Sequence, residues 1–165
     1  MNKITFALSA LALAAAPTFA LAGPGGTTCA TAEQIFPSGS YTGDTSAPEY
    51  TDQVGAMGPL PSPAADAIYY FVSDGQATGD INVTASGFNF AIFLLTNCAG
   101  SAAPPLQAAT GPAATGSFPV GTLTAGTTYY VVVSGNPSDA SAPEGSFTFT
   151  TPTPLPVTLQ EFSIL

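Results

Sequence analysis

Beyond Lys3, this 165-residue chain contains no lysine, arginine or histidine, yet it carries ten carboxylates and a formal net charge of −9. General acid–base chemistry, activated nucleophiles and phosphate clamps draw mostly on those three missing residue types. The chain is therefore expected to be non-catalytic, with Ser, Thr, Tyr, Asp and Glu as its only reactive groups apart from two cysteines. A cation-poor acidic surface also argues against nucleic acid and anionic lipid as partners. There is no Gly-x-Ser-x-Gly, no phosphate loop and no histidine-containing metal motif. The two cysteines, Cys29 and Cys98, do not complete a zinc shell without histidine. Helical periodicity is almost absent after residue 22.

What is present begins with a leader. Met1-Asn2-Lys3 is a short positive start, Ile4 to Ala16 is apolar, Pro17 breaks the run, and Ala20-Leu21-Ala22 offers a small-x-small cleavage pattern. This reads as a signal peptide over 1–22. The run holds a proline and falls short of the roughly 20 apolar residues that span a bilayer. No later segment spans either, so membrane insertion is not expected after cleavage. The expected station is secreted, periplasmic or at the cell surface. Export and an even cysteine count together predict a Cys29–Cys98 disulfide. Glycine and proline are abundant, at 17 and 16 residues, but 45% of the chain is apolar, with six Tyr and eleven Phe. That much apolar and aromatic content builds a folded core rather than a disordered chain.

Strand signals dominate the remainder. Ala67–Val72, Phe88–Thr96 and Thr127–Ser134 read as buried strands. Asp80–Ala85 and Ser146–Thr150 alternate apolar and polar, which gives each a wet face. Shorter strands are expected at Gly39–Thr42 and Ser117–Thr122, with long loops at Asp44–Ala65 and Gly100–Gly116. A last alternating run, Leu155, Val157 and Leu159, shifts phase before Phe162 and Ile164, as a bulge would. The predicted architecture is one all-β domain, an antiparallel jelly-roll-like β-sandwich over 23–151, followed by a Pro-rich hinge and C-terminal strand over 152–165.

The order of short motifs resembles the bacterial pre-peptidase C-terminal domain and related exported β-sandwiches. Cys29-Ala30-Thr31-Ala32-Glu33-Gln34-Ile35 matches the Cys-x-x-Ala-x-x-Ile opening, and Gly39 to Thr45 a Gly-x-x-x-x-Gly-x-Thr stretch. Asp66 to Phe71 is similar to the Asp-x-Tyr-Phe strand, Ala91–Leu94 with Cys98 to the strand before the second cysteine. Gly126 to Val133 and Gly145 to Phe149 resemble the two closing strands. The resemblance covers most of 29–151 and implies a jelly-roll-like accessory module of exoenzymes. Some members bind calcium, collagen or polysaccharide. No enzyme domain precedes the module here, so a stand-alone extracellular protein is implied.

Three groups of residues are candidates for chemistry or contact. Asp44-Thr45-Ser46 is the Asp-Thr-Ser triplet of aspartic proteases, but Tyr41-Thr42-Gly43 before it is not the apolar strand that buries such an aspartate, and an Asp turn is expected instead. Calcium needs six to eight oxygens, for which the best pairings are Asp44 with Asp66, or Asp139 with Glu144. Without an Asp-x-Asp-x-Asp loop, solvated carboxylates are the rival reading. Tyr70 and Tyr130 are expected to point outward from neighbouring strands and to form an aromatic contact patch, or simply to cover a sheet face.

The sequence thus points first to a non-catalytic secreted or cell-surface module for binding or adhesion, with a protein or glycan ligand. A structural subunit of a filament or surface layer, self-assembling through its C-terminal strand, comes second. A calcium-binding accessory domain of a secreted enzyme system is third. Without lysine or arginine salt bridges to lose, the fold is expected to tolerate acid.

Overall fold

The computed structural model describes residues 24–36, 38–53, 64–98, 107–111, 115–135 and 144–152. Among them a 3-10 turn at Cys29–Thr31 precedes nine strands: β1 (Glu33–Gln34), β2 (Ser40–Asp44), β3 (Asp66–Val72), β4 (Ala77–Ser86), β5 (Phe90–Leu95), β6 (Gln107–Gly111), β7 (Thr115–Thr122), β8 (Thr128–Gly135) and β9 (Ser146–Thr150). They form two sheets, ordered β1-β3-β8-β5-β6 and β2-β9-β4-β7. The fold is an all-β sandwich.

Period-two alternation decides what lies between the sheets. Tyr41, Ala67, Tyr69, Phe71, Ile81, Val83, Phe90, Ile92, Leu94, Val131, Phe147 and Phe149 belong to one shared buried core. Its centre is aromatic. The Phe149 ring stacks on Tyr41 at 4.9 Å and meets Tyr69 edge-on at 4.7 Å. Burying each such side chain contributes about 1.5–3 kcal/mol. Two glycines let the sheets close on these rings. A Cβ at Gly43 would lie 2.5 Å from the Phe147 ring, and one at Gly116 would lie 2.6 Å from the Phe90 ring.

The five-stranded sheet also has an apolar outer face. Ile68, Ala91, Phe93, Leu95, Val132 and Cys98 form a second buried cluster, against which Cys29, Ala32 and Tyr130 pack. The Cys29–Cys98 disulfide forms as expected, with Cα atoms 5.6 Å apart. It pins the N-terminal segment onto this face, where Gly26 also bridges Ile68 in antiparallel fashion.

Three differences from the sequence-based expectation have local causes. Gln107–Gly111 forms β6 within the stretch expected to be a loop. Its Gln-Ala-Ala-Thr-Gly sequence carries neither β-branched alternation nor aromatics, so only its pairing with β5 makes it a strand. The two-residue β1 pairs parallel to β3, so the sandwich is not wholly antiparallel. Asp44 is the last residue of β2 rather than the start of a loop. The expected C-terminal strand, 155–164, lies outside the described residues.

One buried group works against stability. Tyr69 is 0% exposed, and its hydroxyl has no hydrogen-bond partner among the described residues. Leaving a buried polar group unbonded costs about 1–3 kcal/mol. Tyr69→Phe is therefore expected to stabilise the protein by about 1 kcal/mol, measurable by denaturant titration. The pH dependence has the same origin. Burial first, and the nearby Glu33 carboxylate second, push the Tyr69 hydroxyl far above the ordinary tyrosine range. Burial raises Tyr41 as well. The folded state then holds protons that the unfolded chain releases near a pKa of about 10. Stability is intact below that value and falls as pH rises above it. Tyr69→Phe should shift the alkaline unfolding midpoint upward, and an unshifted midpoint would contradict the assignment.

Candidate functional site

The four-stranded sheet turns its outer face to solvent, and that face is built from small hydroxyl side chains. The strand sequences Ser40-Tyr-Thr42-Gly-Asp44, Asn82-Val-Thr84-Ala-Ser86, Thr115-Gly-Ser117 and Ser146-Phe-Thr148-Phe-Thr150 alternate. Wherever the bulky or small apolar member faces the core, its polar neighbours face out. Strand register then assembles rows across the sheet. Asp44, Ser146 and Ser86 are aligned partners; so are Thr42, Thr148, Thr84 and Thr115, and so are Ser40, Thr150, Asn82 and Ser117. Neighbouring members of a row stand on strands about 4.8 Å apart. All are exposed except Asp44 and Thr148, which are half-buried.

Over β2, β9 and β4 this face holds a recess of about 480 Å³, lined by Thr42, Asp44, Thr84, Ser86, Ser146 and Thr148 and by the apolar Pro24, Ala85 and Phe147. The hydroxyls of Thr42, Thr84, Ser86 and Thr148 make no hydrogen bond to another described residue. Each therefore presents both a donor and acceptor lone pairs to whatever enters.

Asp44 is the charged corner of the recess. Its Oδ1 accepts from the Ser46 backbone N–H at 2.9 Å and the Ser46 hydroxyl at 2.5 Å, and its Oδ2 accepts from the Ser146 hydroxyl at 2.9 Å. These bonds, led by the Ser46 hydroxyl, hold its carboxyl below the usual carboxylate range. The stabilisation they give is present above the unfolded value of about 3.9 and is lost as pH falls through the lower folded value. It is small, because the carboxylate bonds are open to solvent even though the residue as a whole is half-buried. Thr45, fully buried, exchanges hydrogen bonds with Gly145, both N–H to O (3.0 Å) and N–H to hydroxyl (3.1 Å). The Asp-Thr-Ser triplet is thus an Asp turn that stitches the end of β2 to the start of β9.

The calcium pairings fare differently. Asp44 and Asp66 lie on strands of different sheets and are held by different partners. Asp66 is buried, and its Oδ2 accepts from the Gln53 backbone N–H at 2.7 Å. Glu144 is exposed just before β9, and Asp139 lies outside the described residues. Among the described residues no three metal-ligating side chains cluster.

Tyr70 and Tyr130 do meet. They are register partners on β3 and β8, with ring centroids 6.5 Å apart and tilted by 46°. Both are half-buried, and Tyr130 packs against the second apolar cluster. Tyr70 also comes within 3.5 Å of the Gln34 side chain. Tyr130 is thus partly engaged in covering the disulfide-pinned face, and Tyr70 stands beside it.

The hydroxyl rows were missed by residue-level reading. Their signal was present as Ser/Thr alternation in four separate strands, but nothing local says that those four strands share a sheet. Among the described residues, no helix is long and apolar enough to cross a membrane. The chain matches no family model, and comparison with curated proteins and with solved structures gives no match either.

Proposed function

We propose that the protein is a non-catalytic secreted or cell-surface binding module, and that it makes contact through the outer face of the β2-β9-β4-β7 sheet. One observation carries this reading: an in-register array of mostly exposed Ser and Thr side chains around a recess whose one carboxylate is Asp44, with Asp80 bonded to Ser117 further along the same sheet. Such an array offers many hydrogen bonds, and the carboxylate in the recess is held by Ser46 and Ser146. Export by the signal peptide is supported by the disulfide, which suits an oxidising compartment. The resemblance to the pre-peptidase C-terminal domain supports a place in that accessory class.

The test is a binding screen of the exported form against glycans and matrix proteins, with and without millimolar calcium. A ligand should bind, and Thr148→Arg, which places a long charged side chain in the recess, should weaken it at least about tenfold. Turnover of a substrate by the purified protein would refute the reading, as would a ligand whose affinity ignores Thr148→Arg.

A further inference from the structure

We infer that the segment 153–165 is a strand donor: it pairs with the edge of β2 in a second copy of this chain, and two copies exchange segments in a closed two-fold dimer.

The edge comes first. Among the described residues, β2 has β9 as its only neighbour in the sheet. The Thr151 N–H donates to the Gly39 carbonyl at 3.0 Å, and the Thr45 N–H donates to the Gly145 carbonyl at 3.0 Å. Antiparallel bonding alternates along a strand. The odd-numbered residues here therefore bond β9, while Ser40 and Thr42 aim their backbone N–H and C=O groups away from it. Such a row is a template for another strand. The opposite edge strand, β7, is interrupted by Pro119, which has no N–H to offer.

The donor leaves at the start of β2. Beyond β9, the Pro152 carbonyl accepts from the Ser38 N–H at 3.1 Å. Phe36 marks this end: its carbonyl accepts from the Thr151 hydroxyl at 2.6 Å. At 48% exposure, Phe36 is the one large apolar side chain exposed among the described residues. The sequence that follows carries Leu155, Val157 and Leu159 in alternation, with Pro156 among them.

Two constraints fix how it pairs. Pro156 has no N–H, so its backbone faces away from β2, and Leu155, Val157 and Leu159 make the bonds. Their apolar side chains belong on the inner face beside Tyr41, not among the outer hydroxyls. In antiparallel pairing, residues that bond each other share a face, which would set Val157 on the hydroxyl face with Thr42. In parallel pairing they lie on opposite faces, and the apolar trio turns inward.

Only a second copy allows parallel pairing without a reversal. To reach its own β2, the segment would have to turn back and cross the chain entering that strand through Phe36, Ser38 and Gly39, and connections at one end of a sheet do not cross. A partner related by a two-fold axis at this end has its β2 running away from the junction, so the segment continues straight alongside it. Reciprocal exchange fills both edges, covers both Phe36 side chains and closes at two copies instead of opening a filament.

The experiment is sedimentation equilibrium of the exported form, repeated with 153–165 deleted and with Thr42→Pro, each checked for an unchanged circular-dichroism spectrum. The wild type should have twice the monomer mass. Each variant should have the monomer mass, because one lacks the donor and the other lacks an outward N–H on the acceptor. Mixing the two should restore a dimer, since the Thr42→Pro copy still donates and the truncated copy still accepts. If Thr42→Pro does not fold, the truncated protein alone decides. A monomeric wild type overturns the inference; so do a truncated protein that stays dimeric, a mass that climbs past the dimer with concentration, and folded variants that give no dimer when mixed.

Discussion

Replacing Cys29 and Cys98 together with serine is expected to destabilise the protein by about 4 kcal/mol, following the chain-entropy relation for a closed loop of this size. The two residues are 69 positions apart, so the crosslink constrains a large part of the unfolded chain. The native state loses something too, because Cys98 is buried in the second apolar cluster and Cys29 packs against it. For a domain of this length the shift corresponds to a fall in Tm of about 10–20 °C. Denaturant titration of the double variant, or of the wild type with and without reductant, gives the value. A loss below about 1 kcal/mol would mean that the N-terminal segment is held by other contacts, chiefly the Gly26–Ile68 bridge and its two backbone hydrogen bonds of 2.8 and 2.9 Å.

Phe149→Ala should cost a similar amount, about 3–5 kcal/mol. Phe149 is 0% exposed and faces the core from β9, so its ring meets Tyr41 of its own sheet and Tyr69 of the opposite one. Truncation removes the stack on Tyr41 and the edge contact with Tyr69, and the flanking strands cannot close the gap without breaking register with β9. Thr150→Ala is the matched control, one residue on and facing solvent, and should change stability by less than about 0.5 kcal/mol. Equal effects from the two would show that β9 does not present Phe149 to the core.

The strands that could be placed from sequence share a property. Ile68-Tyr69-Tyr70-Phe71-Val72 and Tyr129-Tyr130-Val131-Val132-Val133 are dense in β-branched and aromatic residues, and Ser146 to Thr150 alternates without a break. Such residues fit a pleated, half-buried surface wherever it lies. Gln107–Gly111 was not legible because small and polar residues carry no such preference, and its state is set by β5 alongside it. The same distinction governs the candidate residues. Asp44 could be read as a turn aspartate because its partner Ser46 is two residues away. Its pairing with Asp66 could not be judged, because the two sit on strands of different sheets.

By itself, the sequence determined properties that are additive or local. The missing cations limit which partners are tolerable, the period of two assigns an inner and an outer member to each strand, and the cysteines supply one bond. Only the tertiary structure decided which outer members become neighbours. Thr42, Thr148 and Thr84 stand in one row because β9 lies between β2 and β4, an arrangement that joins residues more than 60 positions apart. Strand pairing across such distances is chosen by the fit of the whole core, here around Phe149 and Tyr69, and no short stretch of chain encodes it.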